Sequence, residues 1–165
     1  MILQNAHTLN DIQTRLEDKQ IFVRTSDLDG RPTVIGYDKQ FRWSWIATQL
    51  NTFIVVSEYG DERIEPVTIE SHLNGAFEVA RKEHTGWPRG FQSGIGVISV
   101  LRSTSVSDAA KTYCSKLQSG KKWAGFSIPV VIDSHLSQTV RFDKDSIWGK
   151  IYYPHFRSLI GDLLG

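Results

Sequence analysis

"TFIVVSEY" (Thr52 to Tyr59) and "GIGVISVL" (Gly94 to Leu101) are two apolar, β-branched runs, and the way they are joined decides the layout of the chain. Between them, after Pro66, Ile69, Leu73, Ala76, Phe77 and Ala80 recur at helical spacing. Lys82 and His84 sit near the end, where cations suit the helix dipole, and Gly86 with Pro88 supplies the stop. Strand, helix, strand permits two layouts. Each strand pairs with antiparallel neighbours of its own, or the two lie parallel with the helix as a crossover.

On the amino-terminal side, Thr8 with Asp11 three residues on predicts a capped helix carrying Leu9, Ile12 and Leu16 on one face. Ile21 to Thr25 and Thr33 to Tyr37 read as strands around Asp29-Gly30, a pair that supplies the positive φ of a tight hairpin. Phe41, Trp43 and Trp45 alternate with polar neighbours and lead into "TFIVVSEY", so the hairpin continues as a meander. On the carboxyl-terminal side, Ser105 and Asp108 form a capping pair for a helix lined by Val106, Ala109, Ala110, Tyr113 and Leu117 and ended by Gly120. "FSIPVVID" and "QTVRF" make a second hairpin around Ser134 to Ser137, with Pro129 demoting the first strand to an edge or bulged position. Pro154 to Leu164 forms a last helix through Phe156, Leu159, Ile160 and Leu163.

Strands cluster early and later alternate with helices. That order predicts an α+β fold over one domain, residues 1–165: a mainly antiparallel sheet, an early β-meander, a late β-α-β-β-α unit and about four helices on one face. The alternative is α/β, with "TFIVVSEY", "GIGVISVL" and "FSIPVVID" parallel through two crossovers.

Composition narrows the function classes. The formal net charge is +1, with 19 basic and 18 acidic residues spread along the chain, so no field draws it to polyanions or membrane surfaces, and nucleic acid is not expected as a partner. "SGKKWAGF" sets Lys121 and Lys122 before Trp123, yet two lysines past a helix end do not make a basic face. Cys114 is the sole cysteine, which excludes an intramolecular disulfide and a thiolate zinc cluster within one chain and fits a reducing, cytoplasmic setting. Its place inside a helix, away from the amino-terminal turn, marks it as a structural thiol. "MILQNAHTLNDIQ" reads as neither a signal peptide nor a membrane span.

No catalytic motif emerges. His7, His72, His84, His135 and His155 show no pair at metal-binding spacing and read mostly as surface histidines, so no metal and no cofactor is expected. Asp61, Glu62 and Glu65 alternate with Arg63 as in a solvated turn. "HTGWPRGFQSGIG" (His84 to Gly96) has the glycines of an anion loop in the wrong order, after a helix and before a strand, and reads as a connector with Gly94 and Gly96 close-packed. Within it, Arg89 beside Trp87 is the pairing that a ligand could use. "DSIWGKIYYPHFRSLI" gathers Trp148, Tyr152, Tyr153, His155 and Phe156 at the entrance to the last helix. The candidate ligand-binding residues are therefore Trp87, Arg89, Trp148, Tyr153 and His155. They suit a non-enzymatic binding or interaction domain with an exposed aromatic surface, partnered by an unknown protein, by a small molecule or by a second copy as a homodimer. The alternative is a small enzyme or sensor that takes an acidic or aromatic ligand between sheet and helices.

Overall fold

The computed structural model describes residues 8–42, 48–85, 93–116, 125–142 and 152–165. Thr8 opens α1 (Leu9–Asp18) through a complete capping box: the Asp11 amide donates to the Thr8 hydroxyl at 3.2 Å, and the Thr8 amide donates to the Asp11 carboxylate at 2.9 Å. The helix ends without a glycine. Gln20 takes a left-handed φ of 59°, and the Ile21 amide donates back to the Leu16 carbonyl, the turn usually closed by glycine. This turn places Lys19 and Ile21 at the edge of the sheet.

β1 (Phe22–Leu28) and β2 (Arg31–Arg42) are joined by Asp29 and Gly30 at φ 54° and 77°, a reversal whose hand matches strand twist. β3 (Thr48–Glu58) pairs antiparallel with β2 and completes the meander. The chain continues through β4 (Arg63–Ile64), α2 (Pro66–Glu83), β5 (Ser93–Ser103), β6 (Ser105–Val106), α3 (Asp108–Lys116), β7 (Gly125–Asp133), β8 (Gln138–Val140) and α4 (Tyr153–Leu164). The main sheet runs β1-β2-β3-β5-β7-β8, while β4 and β6 form a two-stranded ladder beside it. The class is α+β with the early meander in place. The sheet is mixed, because β3–β5 and β5–β7 pair in parallel through α2 and α3, so the two crossovers occur alongside the antiparallel meander and the β7–β8 hairpin.

The helices cover both faces rather than one. Leu50, Ile54 and Val56 of β3 and Ile98 and Val100 of β5 pack with Ile12, Leu16, Phe156 and Leu159 of α1 and α4. The alternate positions Phe53, Val55, Ile95 and Val97 pack with Ala76, Phe77 and Ala80 of α2. Leu101 and Val131 meet Tyr113 and Cys114 of α3 on that same side. Central strands that are apolar at successive positions need cover on each face, and the continuous runs of β3 and β5 carry that signature. Gly36 and Gly96 let the helices come close: a Cβ would lie 2.7 Å from Leu16 at the first and 2.8 Å from the Phe156 ring at the second. Gly94 has ordinary room.

Two local expectations change. The hydroxyl that caps α3 is that of Ser107, which accepts from the Ala110 amide at 3.0 Å, while Ser105 lies in β6. Asp108 is the first helical residue. β7 is an inner strand flanked by β5 and β8, but among the described residues its pairing with β8 reaches only from Asp133 to Val131. Pro129 thus stands where that side is open, and its missing amide hydrogen breaks no ladder. Among the described residues, no helix is long and apolar enough to cross a membrane.

Candidate functional site

Strand register sets Asp38, Thr52 and Gly96 in one row across β2, β3 and β5, on the face covered by α1 and α4. The start of α4 lies over this row. His155 Nε2 is 2.9 Å from Asp38 Oδ2, and the next residue, Phe156, lays its ring on Gly96. Between them the Thr52 hydroxyl is buried without a hydrogen-bond partner. An orphan hydroxyl of this kind carries a desolvation cost of about 1–3 kcal/mol.

The Asp38 and His155 side chains are only 8% and 10% exposed, and Gln40 Nε2 donates to the second Asp38 oxygen at 2.9 Å. Burial by itself raises the Asp38 carboxyl, but hydrogen bonds from His155 and Gln40, with further help from the charges of His155 and Lys19, hold it below the ordinary carboxylate range. The pair borders a cleft of about 250 Å³ between β2, the end of α1 and α4. Across its mouth Lys19 Nζ meets Asp162 Oδ2 at 2.8 Å, an exposed ion pair linking the two helices. Arg15 fastens the same helices by donating to the Leu163 carbonyl at 3.1 Å. The cleft therefore presents an oriented imidazole, an ionised carboxylate, an amide, the Ser158 hydroxyl and a lysine, with Ile21 and Leu159 as its apolar walls. Such a set can exchange protons and hold a polar molecule by several hydrogen bonds at once.

Of the residues singled out from sequence, His155 is brought into this site. Tyr153 is the first residue of α4. Trp87, Arg89 and Trp148 lie outside the described residues, as do Lys121, Lys122 and Trp123. Tyr152 and Phe156 pack against the core beneath α4. The reading of most histidines as surface residues does not hold for His72, which is 3% exposed, while His155, a candidate ligand-binding residue, is paired with Asp38. Asp38 and Thr52 escaped sequence reading although a signal was present: both occupy strand positions of the same parity as buried apolar neighbours.

A second polar cluster lies on the opposite face, under α2. The Thr33 hydroxyl donates to the Arg31 carbonyl at 3.0 Å, which leaves it to accept from Ser57 at 2.7 Å. Ser57 then accepts from His72 Nε2 at 2.8 Å, and Ser99 donates to Nδ1. Every proton in this chain has one acceptor, so the ring is the neutral tautomer protonated at Nε2. Burial, with the positive Arg31 adding to it, pushes His72 down to about 4. Nearby, burial alone pushes the Cys114 thiol up to about 12, which keeps it an unreactive core side chain. Glu62 pairs with Arg31 and Glu65 with Arg63 at the surface. Among the described residues no three His, Cys, Asp or Glu side chains gather as a metal site.

In comparisons with known proteins the chain matches no family model, and no curated protein or solved structure is significantly similar to it.

Proposed function

We propose that this protein is a small-molecule-binding domain whose ligand enters the cleft between β2, α1 and α4 and is recognised by Asp38 and His155. The observation that carries this reading is a buried ionisable pair placed at a cavity wall rather than in dry core. For stability alone such a pair is a poor choice, because apolar side chains of similar volume commonly do as well or better. Polar groups converging on a concavity are what a ligand site needs. The orphan Thr52 hydroxyl, one strand inward of Asp38, extends the same polar row. Among the described residues an interface built on exposed aromatic rings has less support, since Phe156 is core and Tyr152 is partly buried against it.

A thermal-shift screen of polar metabolites on the wild type, Asp38→Asn and His155→Gln tests the reading. A ligand at 100 times its dissociation constant stabilises the wild type by about 2.7 kcal/mol. The shift is expected to vanish in both variants. A screen without hits, or a hit whose shift survives both substitutions, refutes the assignment.

A further inference from the structure

We infer that the cleft selects a small zwitterion, a molecule carrying an ammonium and a carboxylate a few bonds apart, with Lys19 and Asp162 as its two charge-reading residues. This rests on the ligand-binding reading above and names the chemical class that the mouth of the cleft fits. The ionisable groups of the cleft are arranged in two tiers. The inner pair, Asp38 and His155, is buried and tied to Gln40. The outer pair, Lys19 and Asp162, is 36% and 52% exposed and joins side chains from two different helices.

The outer pair is the one a ligand can open. Exposed ion pairs contribute little because water already solvates both charges. Opening this one leaves a cation on the α1 side of the mouth and an anion on the α4 side, each in need of a partner. A molecule with one charge satisfies one of them and strands the other. A molecule with both replaces the old pair by two new ones, a carboxylate on Lys19 and an ammonium on Asp162. The interior suits the remainder of such a molecule. Asp38 is held ionised by its own partners and accepts hydrogen bonds, Ser158 donates or accepts, and Ile21 with Leu159 covers a short aliphatic stem. At about 250 Å³ the cleft is below the usual range for drug-sized ligands and of a size for a small metabolite.

The test uses the full chain and calorimetric titration with L-alanine, L-serine, L-leucine and γ-aminobutyrate, each beside the amine and the acid that lack the other charge. At least one zwitterion is expected to bind at least tenfold more tightly than both of its singly charged counterparts. Lys19→Gln and Asp162→Asn are each expected to weaken it at least tenfold while leaving the unliganded melting temperature within about a degree of wild type. Equal binding of an amine or acid counterpart, unchanged affinity in both variants, or no binding by any of the four zwitterions overturns the class. The cleft reading survives that outcome if xylitol or another neutral polyol binds the wild type and not Asp38→Asn. It falls as well if every ligand found binds Asp38→Asn and His155→Gln as it binds the wild type.

Discussion

The two faces of the sheet each hold a buried histidine, and the two are used in opposite ways. His72, on the sheet-facing side of α2, is closed in on both ring nitrogens by Ser57 and Ser99, in a network that links β2, β3 and β5. All its partners are neutral hydroxyls, Tyr59 lies edge-on at 6.1 Å, and the guanidinium of Arg31, stacked on Tyr59, is the nearby charge. His155, in the first turn of α4, faces a carboxylate at the wall of a cleft. A saturated neutral network fastens elements together, whereas an ionisable pair at a cavity wall borders space that a ligand can enter. The difference separates a structural histidine from a candidate binding one without any appeal to relatives.

The largest effect that would break this contrast is on stability. His72→Ala removes a packed ring and strands the Ser99 hydroxyl, while Ser57 keeps its bond to Thr33, so urea denaturation should show a loss of about 4 kcal/mol. His155→Ala at the cleft, where water can reach the vacated space, should cost no more than about half as much. Equal losses, or the reverse order, would erase the distinction.

Acid sharpens it further. His72 is held at about 4 when folded against 6.5 when free, so between those values the unfolded chain binds a proton that the folded protein refuses. Stability should therefore be whole above about pH 6.5 and decline by about 3 kcal/mol as the pH falls toward 4. Asp38, whose carboxyl is lowered on folding, adds a loss of the same sign at still lower pH. Denaturation midpoints measured from pH 7.5 to 4.5 in the wild type and in His72→Leu check this. A slope that persists in the variant would assign the titration elsewhere.

The smallest expected effect lies at the mouth of the cleft. Lys19→Gln should change the stability of the unliganded protein by no more than about 0.5 kcal/mol, because the Lys19–Asp162 pair is exposed. A loss above about 1.5 kcal/mol would make the pair a structural clamp and remove the reason to regard it as a replaceable gate.

What the sequence determined by itself is local. The Thr8–Asp11 box, the Asp29-Gly30 reversal, the α2 stripe and the inert setting of Cys114 all depend on groups within one turn or one helix of each other, and spacing alone reports them. The continuous apolar runs of β3 and β5 also announced strands in need of cover. Tertiary structure decided the rest. Parallel pairing of β3, β5 and β7 and the split of the helices between two faces follow from which packing buries both sides of the central strands, and no short window contains that comparison. The candidate site is the extreme case: Asp38 and His155 are 117 residues apart in the chain. They meet because a strand position that looks inward by parity passes beneath the first turn of a helix whose own stripe seats Phe156 on Gly96. Each residue alone is an ordinary polar side chain, and the docking of α4 on the sheet makes them a pair.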